Sequence, residues 1–293
     1  MSCVVMVFCT PLHCLAGLFA EGGPVSTQAI AYFTDLIYTK RPWFLGLAFF
    51  IVLLVTGETG FWLGKRSRVQ GYEETKNRMI SVETSVLGVL GLLLGFTLAM
   101  AVSRFDTRRV LVLEEANAIG TSYWRSQLMP APEGPEVSAL LRDYVEAKLH
   151  YFDAGSDLEQ LKASRDRTAR LQKELWSRAA ASAQKDPRSV PAGLLLQSLN
   201  QTFDLDSARW TALNIHLPDG VLLVDMFVGV LAALLVGYNF GVTGHHHFIS
   251  TCVLAVCIAT VMSVIIDLDE PRQGLIRIGQ QALIDLQQQV REK

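Results

Sequence analysis

Apolar residues gather into four long runs, set in two pairs with roughly a hundred polar residues between the pairs. The runs are 43–64, 85–103, 220–241 and 248–266. The first carries Glu58 and no basic residue before Lys65; the third carries only Asp225; the second and fourth carry no charge. A helix needs about 20 apolar residues to cross the hydrocarbon core, and a soluble domain seldom supplies four such runs. The pattern predicts an all-α integral membrane protein with four transmembrane helices.

The polar residues between the pairs keep a helical period. Span two does not stop with its apolar run. From Ile80 to about Leu128 there is no proline, and Phe105, Val112, Ala116, Ile119 and Tyr123 recur at steps of three, four or seven. One continuous helix with one buried stripe is expected, about 70 Å long at 1.5 Å per residue. Pro130, Pro132, Gly134 and Pro135 end it. Further helices are expected over 136–152, 157–185 and 192–217, separated by AGSD (154–157) and DPRSVP (186–191). Asp219 suits an N-cap for span three. Residues 104–218 therefore read as a helical bundle inserted between the span pairs. The loop KRSRVQGYEETKNR (65–78) makes spans one and two an antiparallel hairpin.

Composition agrees. Of 293 residues, 50 % are hydrophobic and 18 % charged. The net charge of −2 gives nothing that would attract nucleic acid. Cys3, Cys9, Cys14, Cys252 and Cys257 form no CxxC pair, so neither a disulfide framework nor a zinc site is expected. The adjacent side chains of His245, His246 and His247 converge poorly on one metal. No nucleophile elbow, P-loop, HExxH or GxGxxG stands in a suitable context, so no enzyme and no cofactor is expected. Residues 1–39 form an N-terminal extension outside the spanning domain of 40–293. They are apolar over 1–20, yet no Lys or Arg precedes that run, so a poorly ordered extension is expected. A short membrane-associated helix and a cleaved signal are the alternatives.

Basic residues near the span ends suggest a topology. Lys40, Arg41, Arg104, Arg108, Arg109, Arg209, Arg272 and Arg277 fall on one side, and Lys65, Arg66, Arg68, Lys76 and Arg78 on the other. The positive-inside rule favours the first side as cytoplasmic, with both termini and the bundle. The hairpin loop then becomes an unusually basic outer loop, which an anion-attracting vestibule would explain.

Several segments could carry function. Gly88, Gly91, Gly95 and Ala99 in span two share a face at steps of three and four. Small residues so spaced allow close helix packing, the first reading; the alternative is a pore lining with Leu94 and Phe96 as an apolar constriction. After span two, Arg104, Arg108 and Glu115 lie near one stripe with Phe105, and Asp106 can reach Arg109. A solvated basic rim and a charged mouth both fit. Asn117, close to the apolar stripe, needs a partner if buried. Glu58 and Asp225 lie within spans, where partial solvation and a permeation role both fit. After span four, Asp267, Asp269, Glu270, Pro271 and Arg272 read as a capped, solvated turn rather than an obligatory calcium site.

GLLLGFTLAMAVSRFDTRRVLVLEEANAIGTSYWR (91–125) and DLDEPRQGLIRIGQQ (267–281) resemble the hallmark motifs of the bestrophin-like family of bacterial integral membrane proteins, distantly related to bestrophin anion channels. The resemblance covers about 43–290. It implies a homo-oligomer, pentameric in bestrophins, with two-plus-two spans, cytoplasmic termini, a long second helix lining the pore, and a bacterial inner-membrane location. In some bestrophins an acidic stretch after the last span binds calcium; here the run is shorter and Arg272 follows it. The leading expectation is a channel for small anions. The alternative is a membrane-anchored scaffold or sensor whose bundle binds a protein partner.

Overall fold

The computed structural model describes residues 42–67, 72–153, 157–244, 246–270 and 274–291. The extension expected over 1–39 lies outside the described residues. Eight helices cover them: α1 Pro42–Arg66, α2 Tyr72–Ser126, α3 Glu133–Asp153, α4 Leu158–Lys185, α5 Val190–Asn214, α6 Asp219–Thr243, α7 Phe248–Asp269 and α8 Gln281–Arg291. No strand occurs among the described residues. Four segments, in α1, α2, α6 and α7, are long and apolar enough to cross a membrane.

The apolar runs located the spans, and the local chemistry moved their ends. α2 is one helix of 55 residues, as its unbroken stripe requires. It begins at Tyr72, inside the segment expected to be loop, because YEETKNR holds strong helix formers and neither Gly nor Pro. α3 begins at Glu133, so Gly134 and Pro135 open it rather than precede it; proline fits a helix's first turn, where its missing N–H is no loss. Gly134 is needed there, since a Cβ would lie 2.6 Å from Met129 O. Asp157 caps α4, accepting from the N–H groups of Glu159 and Gln160. Ser189 caps α5 by accepting from Ala192 N. Asp219 is the first residue of α6 and not its cap, a place where its charge still complements the helix dipole. Gly244, at φ 81°, ends α6 in the left-handed conformation.

The chain divides into two compact units. One holds the described residues up to Ala101 together with Leu217–Glu270; the other holds Val102–His216 and the residues after 270. In the first, α1 packs on α6 and α7, with Phe49 and Leu53 buried. In the second, Val112, Ala116, Ile119 and Tyr123 of α2 join Leu141, Tyr144, Leu175, Leu195, Leu199 and Leu283 in one core. The C-terminal helix α8, not anticipated from the sequence, completes that core with Leu286 and Val290.

Candidate functional site

In the first unit α2 has two unlike sides. Leu90, Leu94, Thr97 and Ala101 are buried. Val82, Ser85, Val89, Leu92, Phe96 and Ala99, at alternating steps of three and four, are all exposed. Gly88, Gly91 and Gly95 lie on this open side, where an added Cβ would meet nothing within 4 Å. Phe96 is 62 % exposed. Leu94 does not accompany it: two positions apart means about 200° around the axis, and Leu94 turns inward.

Close packing through small residues occurs elsewhere. A Cβ on Gly60 would lie 2.9 Å from Tyr238 N and nearer still to Leu234 O; one on Gly64 would lie 2.9 Å from Val242 N. From the other side, Gly237 abuts the backbone of Gly57, and Gly241 that of Phe61 and Lys65. This seam joins α1 to α6 backbone to backbone. Polar pairs flank it. Asn239 Nδ2 donates to Glu83 at 2.6 Å, and Glu58 lies 3.2 Å from His246 Nε2. Asp225 is 1 % exposed, and its two carboxyl oxygens are buried without a hydrogen-bond partner among the described residues.

The hairpin's basic residues are only partly placed. Lys65 and Arg66 are exposed at the end of α1. Arg68 lies outside the described residues; Lys76 and Arg78 belong to α2, their side chains undescribed.

In the second unit, the residues that follow span two split by burial. Arg108 is 2 % exposed, and its guanidinium donates to Ala212 O at 2.9 Å and Ile215 O at 2.8 Å. Arg104 Nη1 donates to His216 O at 2.9 Å. Carbonyls at a helix C-terminus lack intrahelical donors, and these arginines satisfy them. α5 accordingly stops at Asn214, short of the expected Leu217. Arg108 is therefore no part of a solvated rim. Phe105 is half-buried; Asp106 and Arg109 are exposed. Asn117 is exposed as well, so nothing in its own chain demands a partner. With Val110, Leu113, Trp124 and Leu128 it forms a second uncovered stripe.

Glu115, fully buried, anchors a polar network that the sequence did not disclose. Arg209 Nη1 donates to its Oε2 at 2.5 Å, and Lys148 Nζ stands 2.8 Å from its Oε1. Lys148 also bonds Asp206 Oδ1; Gln172 donates to Asp206 Oδ2 at 2.9 Å and to Tyr144 Oη at 3.1 Å; Arg209 reaches Gln280 at 2.6 Å. Two buried carboxylates thus face two buried cations. Burial opposes ionisation of Asp206, but the Lys148 charge and hydrogen bond, with Gln172 and Arg165, outweigh it and lower its pKa below the ordinary 3.8. Burial first, then Asp206 and Glu115, holds the Tyr144 phenol well above 10.0. A local signal existed. Leu195, Leu199, Thr202, Asp206, Arg209 and Leu213 form one helical stripe, so the two charges fall on a core face.

The acidic residues after span four are not in a solvated turn. α7 continues through Asp269, making Asp267 and Asp269 its last turn, with Glu270 as C-cap. All three are buried. Both Asp269 oxygens accept from Leu217 N, at 2.9 and 3.1 Å. Pro271 and Arg272 lie outside the described residues.

A long, two-sided second helix within two pairs of spans defines a class of membrane protein, and the sequence comparison gives it a family. The profile of the bestrophin-like domain matches residues 51–283, and the chain belongs to the bestrophin-like family. The fold is similar to a crystal structure of a bacterial bestrophin homologue from Klebsiella pneumoniae, with a TM-score of 0.62 at 13 % identity, covering 85 % of this chain and 97 % of that one. A single-substitution variant of the homologue gives a TM-score of 0.61 at 16 % identity, covering 83 % and 98 %. Comparison with curated proteins gives no match.

Proposed function

We propose that the protein is a homo-oligomeric channel for small anions in the bacterial inner membrane, with its termini and second unit in the cytoplasm. The observation that carries this reading is the open side of α2 in the membrane unit: Gly88, Gly91, Gly95, Phe96 and Ala99, uncovered by the other described residues. An apolar side that its own chain leaves open is a place for other copies or for a pore. Glycines leave room there, and Phe96 supplies one large apolar ring, suited to a constriction that closes by dewetting. The uncovered stripe through Val110, Leu113, Asn117 and Trp124 keeps a step near 3.5, the spacing of helices that associate with copies of themselves, and Asn117 is a polar position of the kind that fixes register. Membership of the bestrophin-like family supports the channel reading.

The test is planar-bilayer recording of the purified protein under a chloride gradient. The expected result is a current reversing near the chloride potential, with Phe96→Ala raising conductance or altering gating. No current, or a cation current indifferent to Phe96→Ala, would overturn the proposal. The alternative, a scaffold whose second unit binds a protein partner through the Val110–Leu128 stripe, would then lead, and a monomeric mass in detergent would favour it.

A further inference from the structure

α1 presents a second uncovered side. Phe44, Leu47, Ile51, Val55, Trp62 and Arg66 fall along one face, and all are exposed. The opposite face carries Phe49, Leu53 and the glycine seam and is buried against α6 and α7. This exposed face ends in aromatic rings. Trp43 and Phe44 stack at one end with centroids 3.7 Å apart, and Trp62, 69 % exposed, stands at the other. At 1.5 Å per residue Trp43 and Trp62 are about 28 Å apart along the axis, close to the roughly 30 Å of a hydrocarbon core. Aromatic side chains favour the two membrane–water boundaries. The spacing therefore matches a lipid-facing helix, and Trp62 marks one boundary.

Lys65 and Arg66 stand one turn beyond that boundary. Lys65 Nζ lies 5.7 Å from the centroid of the Trp62 ring, and Arg66 follows Trp62 by four residues, on the same face. Among the described residues neither has an ion-pair partner; the nearest carboxylate along the helix, Glu58, faces His246. Two cations with no ion-pair partner among the described residues, beside an indole at headgroup depth on the lipid side, suit one chemistry. We propose that Trp62, Lys65 and Arg66 bind the phosphate of an anionic phospholipid, such as phosphatidylglycerol. The indole lies along the acyl-chain boundary, and the ammonium and guanidinium hold the phosphate, the latter with two parallel N–H donors. On this assignment the two charges serve the lipid boundary and are not vestibule charges. The inference rests on the membrane-spanning fold and not on conduction.

Native mass spectrometry of the purified full-length protein, with phosphatidylglycerol and phosphatidylcholine competing at equal concentration, tests it. Wild type is expected to retain phosphatidylglycerol in excess, and K65Q/R66Q to lose one such lipid per subunit. R170Q/K173Q, which removes two exposed charges of α4, is expected to keep it. Excess inorganic phosphate is expected to leave the adduct in place; displacement by it would show an anion site that does not need lipid and would overturn the proposal. Equal retention by K65Q/R66Q would overturn it too. Should that variant fail to fold, tryptophan quenching decides the matter. Brominated phosphatidylglycerol is expected to quench more than brominated phosphatidylcholine, with the difference lost in W62F. Equal quenching by the two lipids, or a W62F variant quenched like wild type because another copy covers this face, would defeat the assignment.

Discussion

Two sets of glycines in the membrane unit do opposite things. Gly57, Gly60, Gly64, Gly237 and Gly241 let α1 and α6 touch along their backbones, and an added methyl at Gly60, Gly64, Gly237 or Gly241 would strike a main-chain atom. Gly88, Gly91 and Gly95 of α2 have open space where that methyl would go. The spacing in sequence is alike; the surroundings are not. A small-residue stripe shows that a helix can approach something closely, and only the fold shows whether its own chain supplies that something. Among the described residues nothing meets the α2 stripe, which is why this helix, and not the more glycine-dense seam, is the candidate for what neighbouring copies or ions meet.

The contrast can be sharpened by substitution. The largest effect is expected on the closed side of α2 in the second unit, where charge takes the place that glycine has in the seam. Lys148→Met leaves Glu115 and Asp206 short of a cation, and removing one partner of a buried ionic network costs about 3–5 kcal/mol. Chemical unfolding of that variant measures it; a loss below about 1 kcal/mol would mean that the network is better hydrated than its burial implies.

Next comes the seam. Gly237→Ala is expected to destabilise by about 3 kcal/mol, the upper range for overpacking, because the obstacle is backbone and cannot rotate aside. Thermal unfolding in detergent reads this. Gly91→Ala in the same assay tests the other half of the comparison.

A smaller, pH-dependent effect belongs to Asp206. Its folded pKa is depressed, so its contribution is present above the unfolded value near 3.8 and is lost as pH falls through the lower folded value. Acid unfolding of wild type should steepen below about pH 4, and Asp206→Asn should flatten that limb. An unchanged acid limb would show that Asp206 is not ionised in the network.

The smallest effect on folding is expected at Gly91→Ala and Gly95→Ala. With no clash to make, alanine gains up to about 1 kcal/mol of helix propensity. Stability should be unchanged or slightly raised while conductance or oligomer mass shifts. A destabilisation as large as that of Gly237→Ala would erase the distinction between the two sets.

The spans and the continuity of α2 were legible because lipid and helix period impose long, regular patterns on the sequence. The seam was legible in principle, in GETGFWLG and GYNFG, yet the eye goes to the uncharged glycines of span two. The network was harder. Glu115, Lys148, Gln172, Asp206 and Gln280 come from separate segments, and no local motif joins them. What each helix does show is a charge on an apolar stripe, as with Asp206 and Arg209 between Leu199 and Leu213. Helix ends were least legible. That α5 stops at Asn214 depends on Arg104 and Arg108, about a hundred residues earlier in the chain.

The seam also sets an order of events during synthesis. Gly60 leaves the ribosome about 180 residues before Gly237. At roughly 5–20 residues per second, α1 waits some 10 to 35 seconds for the helix it fits most closely. Throughout that interval its glycine face lacks the backbone it is shaped to meet. The pair therefore closes late, after the intervening helices of the second unit have been made. A nascent chain stalled before α6 would hold a first span still open to whatever else in the membrane can reach those glycines.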